Sequence, residues 1–373
     1  VDSELDLGYL LAVSAAAVWT PRPLASCLAA FGDARTIIRY ARGELVAAAD
    51  CEPLHLDALA RIASLDDEAA RDALAVARAR GHNFVTHSSD NFPARLGHLC
   101  DPPPVLYYVG DLTALSRRTV AIVGSRAATP YGRSVAEEMT ADFAALGISV
   151  VSGLARGIDA AAHRGCVRGL SPTVAVIGSG LDVLYPPYHA KLSDEIVRCG
   201  GAILTEFPPR MSARPHHFPM RNRLVAALAD ATVVVEASFK SGALITARLA
   251  AELGRSVFAV PGDVGRPASE GTNALIKDGA ILTTSAADMC AVLGWPLTTQ
   301  SVSHSNELLA DPIACALSHS PANAEEISRS TGIEISAVLA HLTMLEIQGR
   351  AERHAGGFYS AVSARKAANA RPS

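Results

Sequence analysis

Lysine is scarce in this chain of 373 residues: only Lys191, Lys240, Lys277 and Lys366 stand among 33 basic residues, and the formal net charge is −4. A protein that coats duplex DNA by bulk charge is basic, so any nucleic-acid contact here must be a local patch built from arginine. Aromatic residues make up only 5% of the chain. The seven cysteines form no C-x-x-C, and no histidine pair has zinc-finger spacing. A disulfide framework and a structural zinc site are therefore not expected, and a reducing cytoplasm fits. Long hydrophobic runs are also missing. The apolar stretch Tyr9–Trp19 is too short to span a membrane, and Asp2, Glu4 and Asp6 before it carry the wrong charge for a signal peptide. With 49% hydrophobic and 19% charged residues, the chain can still bury a sizeable core.

Between Val120 and Gly262 one event recurs six times: a short β-branched run ends, and a small-residue loop follows. The runs are Val120–Val123, Ile148–Val151, Thr173–Ile177, Ala202–Leu204, Thr232–Val235 and Val257–Val260. Helix-patterned segments separate most of them, which predicts an α/β fold with a doubly wound, mostly parallel, extended Rossmann-like sheet. In such a sheet these loops share the carboxyl edge, where ligands bind. Residues 1–82 read as short amphipathic helices over Leu24–Phe31, Leu54–Leu65 and Ala69–Arg80, with Gly32 closing one of them. Residues 83–119 bridge to the sheet and hold an added strand over Val105–Val109. Residues 83–296 are expected to form the central domain, and 297–373 a linker plus a tail. In that tail, helices over Pro312–Leu317, Asn323–Ser330 and Ser336–Gln348, followed by an alternating Gly349–Tyr359, predict a winged helix.

The rim loops are rich in anion-binding features. Gly124-Ser125-Arg126 follows a buried strand: glycine lets the backbone approach a phosphate, and Arg126 supplies a planar donor fork. Ser152–Asp159 repeats the device with Gly153, Arg156 and Gly157. Asp159 and His163 stand one turn apart, either as a metal or acid–base pair or as a helix-start hydrogen bond. Gly178-Ser179-Gly180 begins like a dinucleotide fingerprint but has Val183 where a third glycine is needed. Arg210–Arg223 carries four arginines, His216, His217 and Phe218. Pro209, just before it, and Pro215 and Pro219 within it predict an irregular, exposed segment suited to single-stranded nucleic acid, with Phe218 stacking on a base. Ser241 is a candidate N-cap with Lys240 beside it. Glu236 is either a catalytic carboxylate or an anchor for a neighbouring loop.

Six blocks taken together resemble the DNA-processing protein A (DprA, or Smf) family. They are Val120–Arg126, Val151–Asp159, Gly180–Pro186, Phe218–Arg223, Lys240–Thr246 and Phe258–Gly262, in the family's order. The resemblance implies a non-enzymatic, cytoplasmic single-stranded DNA-binding protein that protects incoming strands in natural transformation, loads the RecA recombinase and dimerises. It also implies a helical SAM-like N-terminal domain and a C-terminal winged helix, with no metal and no cofactor. Carried over residue by residue, the DNA pocket comprises Gly124, Ser125, Arg126, Arg221, Arg223, Lys240, Ser241 and Gly242, with Arg156 and Phe218 added on chemical grounds. The self-association surface falls near Asn273–Ile281, on the apolar Leu275, Ile276 and Ile281, residues that suit a core equally well. This chain has Pro187, His216 and His217 at positions where some members carry lysine, so the expectation is either weaker binding or a gain below pH ~6.5, where histidines charge. The third tail helix holds only His341 and no Arg or Lys, which disfavours reading a duplex groove and points to a protein contact. Two rival readings remain: a phosphoribohydrolase-type enzyme acting on nucleotides, whose glycine loop is degraded here to Pro261-Gly262-Asp263-Val264-Gly265-Arg266, and a winged-helix transcription regulator.

Overall fold

The structure, a computed structural model, describes residues 4–46, 51–297, 322–347, 351–354 and 358–361. The chain divides into two compact units, Val1–Thr299 and Gln300–Ser373.

Nine strands form the sheet of the first unit: β1 (Asn83–Thr86), β2 (Val105–Gly110), β3 (Thr119–Val123), β4 (Ser149–Ser152), β5 (Thr173–Val176), β6 (Ala202–Thr205), β7 (Ala231–Val234), β8 (Ser256–Ala259) and β9 (Ile281–Leu282). Their spatial order is β1-β2-β6-β5-β4-β3-β7-β8-β9. Pairing is parallel from β6 through to β9, and β1 and β2 add antiparallel to the other edge. The chain winds outward from β3 through β4, β5 and β6, then returns to β7 on the opposite side of β3. The strand order therefore reverses between β3 and β7, which opens a crevice at their carboxyl ends. The six runs seen in the sequence are β3 to β8. β3 to β7 are buried on both faces, so their apolar runs are continuous rather than alternating.

Five helices precede the sheet: α1 (Glu4–Ala16), α2 (Pro21–Phe31), α3 (Ala34–Ala41), α4 (Leu56–Ala63) and α5 (Asp67–Arg78). Gly32 ends α2 at φ +81°, and Asp33 starts α3 by accepting the Thr36 N–H. The Cys27 and Cys51 thiols meet inside this bundle, with sulfurs 2.6 Å apart. The bundle is not a free-standing bead. Leu11, Leu74 and Ala77 share one core cluster with Val105 and Tyr107 of β2. Trp19 stacks on His217, with ring centroids 4.5 Å apart, and His217 in turn stacks on Phe207 at 4.3 Å.

The remaining helices of this unit are α6 (Pro130–Ala145), α7 (Ile158–Arg168), α8 (Ala190–Arg198), α9 (His217–Leu228), α10 (Gly242–Glu252), α11 (Glu270–Lys277) and α12 (Ala286–Leu293). They cover both faces of the sheet with two large apolar clusters. The expectation of an irregular, exposed Arg210–Arg223 holds for residues 210–216, which carry no helix or strand and are mostly exposed, and fails from His217 on, where α9 begins. Pro219 stands in the first turn, where no helical N–H is required, so it starts the helix instead of breaking it.

In the second unit, β10 (Ala322–Asn323), α13 (Ala324–Thr331), α14 (Ile335–Ile347), β11 (Ala351–Arg353) and β12 (Phe358–Ala361) build a winged helix around Ile327, Val338, Leu342, Leu345 and Tyr359. Asn323 and Glu326 form a capping box, and Gly332 ends α13 in the left-handed region. Ile335, Leu339 and Met344 of α14 are exposed. The helix expected over Pro312–Leu317, nearly all of the linker, Gly356-Gly357 and residues beyond 361 lie outside the described residues.

Candidate nucleic-acid interface

The crevice between β3 and β7 is built by backbone contacts that only glycine allows. A Cβ on Gly124 would lie 2.9 Å from the Glu236 carbonyl oxygen and 2.8 Å from Ile158 Cβ. That close approach lets the Ser125 N–H donate to the Glu236 carbonyl at 2.6 Å. The Glu236 carboxylate accepts the Thr129 N–H at 2.8 Å and the Thr129 hydroxyl at 2.7 Å, and Thr129 Oγ1 accepts the Gly132 N–H. Glu236 is thus the loop anchor, and it occupies the N-terminus of α6 with the protein's own anion. With both oxygens engaged, it does not offer the free carboxylate that a hydrolase would use. In the Pro261–Arg266 loop the Asn273 side chain engages the backbone N–H and carbonyl of Gly262 by hydrogen bonds at 3.2 and 3.0 Å.

Arg126 points outward from this scaffold. Its guanidinium lies 4.5 Å from the centroid of the Phe218 ring, and Phe218 faces Tyr185 at 5.5 Å. Phe218 sits on the first turn of α9 against Gly178, where a Cβ would come within 3.2 Å of the ring. One turn on, the Asn222 amide donates to the Gly242 carbonyl at 3.3 Å. The same face of α9 therefore joins the Arg126 loop to the start of α10. There Ser241 caps by accepting the Ala243 N–H at 3.3 Å, and Lys240 is exposed. Gly124, Ser125, Arg126, Phe218, Lys240, Ser241 and Gly242 all lie along one rim. Arg156 follows on the next loop, which is tied to the first where the Ile158 N–H donates to the Ser125 carbonyl at 3.2 Å. Among the described residues, Arg126, Arg156 and Lys240 make no ion pair with a carboxylate.

Arg221 and Arg223 do not join this surface. They are 3% and 7% exposed, because the helix turns them toward the sheet. Arg221 donates to the Val176 carbonyl at the end of β5 and faces Asp159 across Gly153. Burial lowers its pKa to about 10 against the pull of Asp159. Burial also raises Asp159, although Arg221 and the Ala155 N–H draw it back. Arg223 pairs with Glu206, lies 3.4 Å from the Asp101 carboxylate and donates to the Asp101 carbonyl at 3.0 Å. Burial pushes Glu206 up to about 7 against Arg223. Arg221 thus ties α9 to the end of β5, and Arg223 ties it to Glu206 and Asp101 on the side away from the rim.

Three further expectations resolve. Asp159 accepts the Ala155 N–H at 3.4 Å at the start of α7, which is the helix-start hydrogen bond, while His163 bonds Thr173 instead. His217 is fully buried, its Nδ1 lies 2.9 Å from the Gly178 carbonyl, and burial lowers its pKa. It therefore does not supply the acid-dependent charge expected of it. The Gly178-Ser179-Gly180 loop is covered by the protein's own chain: the Gly180 N–H donates to Met211 and the Asp182 N–H to Pro209. Of the residues proposed for self-association, Leu275 and Ile281 pack against the two core clusters, while Ile276 lines a depression with Phe239, Val264 and Leu282. Phe239 and Val264 are 66% and 97% exposed. Sequence reasoning missed Tyr185 as a ring partner of Phe218, although its place in the Tyr-Pro block was visible.

Fold and rim together define a Rossmann-like α/β protein with an electropositive switch point, followed by a winged-helix unit. Residues 83–294 match the family of the DNA recombination-mediator protein A, and residues 299–357 match the DprA winged-helix domain. The chain belongs to this DNA recombination-mediator protein A family. It is 41% identical to Protein Smf of Escherichia coli (strain K12) over 203 residues, a stretch spanning 54% of this chain and 54% of that relative's length. The solved DNA processing protein A of Streptococcus pneumoniae aligns with a TM-score of 0.60 and 31% identity, covering 78% of this chain and 98% of that one. DNA processing protein A of Helicobacter pylori, described for its single-stranded DNA binding mode, aligns with a TM-score of 0.52 and 32% identity, covering 58% and 97%.

Proposed function

We propose that this chain binds single-stranded DNA along the carboxyl rim of its sheet, without covalent chemistry, and passes the strand to a RecA recombinase in the cytoplasm. The observation that carries the reading is the Arg126–Phe218–Tyr185 group. A cation and two rings with accessible edges are what a base and its phosphate need from a protein that ignores sequence. Lys240 and the capped start of α10 extend the positive lining past Phe218. The single-stranded DNA binding described for the Helicobacter pylori relative supports the same assignment. Self-association is proposed for the face carrying Phe239, Val264, Ile276 and Leu282, which is apolar and open. The hand-over to RecA is checked by whether this protein shortens the lag in RecA ATP hydrolysis on coated strands; an unchanged lag removes that step from the proposal.

Arg126→Ala tests the reading. Anisotropy titration of a labelled thymidine 20-mer should show affinity about tenfold weaker, the loss of one charged contact worth ~1–2 kcal/mol. The slope of log K against log salt should become shallower by about 0.7, one phosphate's share on a single strand. Unchanged affinity and slope would place the strand elsewhere.

A further inference from the structure

Beside the Arg126 loop lies an open depression of about 450 Å³, lined by Arg126, Arg133, Arg156 and Arg164 with Tyr188 and His189 at its margin. Its floor is made of alanines and Gly157, and no Asp or Glu lines it. In a chain with a net charge of −4, four arginines around a carboxylate-free hollow are not ordinary salt-bridged surface. The acids nearby are used elsewhere: Glu137 pairs with Arg168, Glu138 accepts from Ser134, and Asp159 is buried against Arg221. None of the four arginines makes an ion pair among the described residues. The backbone holds them together. Gly157, at φ +78°, tucks beneath the Arg126 backbone, where a Cβ would fall 2.9 Å from its carbonyl carbon. Arg133 donates from Nη1 to the Ala128 carbonyl at 2.5 Å, which holds its guanidinium at the hollow and leaves the Nη2 and Nε donors for a ligand. Tyr188 is 62% exposed and stands edge-on to His189 at 4.8 Å. The His189 ring is tied to the Leu154 carbonyl at 2.9 Å.

Arg126 belongs to this hollow and to the Phe218 group at once. We infer that the hollow is a second station for the same strand: Arg133, Arg156 and Arg164 take the consecutive phosphodiesters that follow the base held at Phe218, and Tyr188 offers the next ring. This deepens the strand-binding reading and rests on it. A longer single strand should therefore bind through contacts that a short one cannot reach.

The test uses the full chain, with thymidine oligonucleotides of 4 and 20 residues titrated across salt. The double variant R133Q/R164Q changes exposed side chains, and its melting temperature should match the parent's. Expected are unchanged affinity for the 4-mer, about tenfold weaker binding of the 20-mer, and a salt slope lower by about 1.4 for two lost phosphates. The double lysine variant R133K/R164K should restore the slope. If the 20-mer binds the glutamine variant as tightly as the parent, the second station does not exist, even if Arg126→Ala weakens both lengths. If Arg126→Ala changes neither length while the glutamine variant weakens the 20-mer, the Phe218 station fails and the arginine hollow stands alone. Equal loss on both lengths would overturn the ordering of the two stations.

Discussion

His163 on α7 is fully enclosed; its Nδ1 lies 2.9 Å from Thr173 Oγ1, and its Nε2 has no hydrogen-bond partner. Burial, helped by His189 and Arg221, lowers its pKa to about 3. In the unfolded chain the same imidazole takes a proton near pH 6.5. The unfolded state therefore binds more protons between these values, and stability falls as pH drops through that window. Above pH ~6.5 the contribution is complete. The slope attributable to one such group is at most about 1.4 kcal/mol per pH unit. Glu206, pushed up to about 7 by burial, acts in the opposite sense between pH 7 and 4.5, so the variant is compared with the parent: urea midpoints of His163→Asn should fall less, or rise more, from pH 7 to 4 than the parent's, even if every midpoint is lower. An unaltered slope would assign the acid sensitivity to another group. Nothing near His163 in the sequence announces this environment, because Thr173 and Arg221 reach it through the fold.

At the level of the element, α9 shows how far local sequence can mislead. The rim glycines and the six strand runs were legible because each signal is local: a β-branched run, then residues that tolerate close approach. α9 was not, because Pro219 falls in its first turn, where a helix tolerates it, and Pro215 and His216 lie just before it. Its arginines looked like surface cations because their partners are remote, Glu206 at 17 residues' separation and the Asp101 carbonyl at 122. Phe218 and Arg223 thus serve opposite faces of one helix. Arg223→Ala would strand the Glu206 and Asp101 carboxylates without their cation, at a cost of roughly 3–5 kcal/mol. Urea unfolding should show that loss, with strand affinity per folded molecule nearly unchanged. Full stability combined with lost affinity would return Arg223 to the binding surface.

Over the whole molecule, the compact Val1–Thr299 unit holds every residue of the rim, both arginine stations and the apolar face at Ile276. The exposed residues of α14 include Ile335, Leu339 and Met344 and no Arg or Lys, a surface better suited to protein than to a phosphate backbone. A chain ending at residue 299 should therefore keep its affinity for a thymidine 20-mer within about twofold, a difference of under ~0.5 kcal/mol, and should sediment as the pair proposed for the Ile276 face. Loss of strand binding would assign that role to the tail. The winged helix was legible in the sequence as a pattern of element lengths. The docking of the helical bundle on β2 was not, since it depends on Leu11, Leu74 and Tyr107 meeting across the fold.

Trp19 lies in that docking contact, stacked on His217, while the next residue along α9 presents its ring to Arg126. The chain has one other indole, Trp295, under the Arg118 guanidinium. Trp19 therefore stands one residue's contact away from the proposed strand site. A strand that reorients Phe218 should change Trp19 emission in the unlabelled protein, and a spectrum that stays constant as a thymidine 20-mer is added would show that the two are uncoupled.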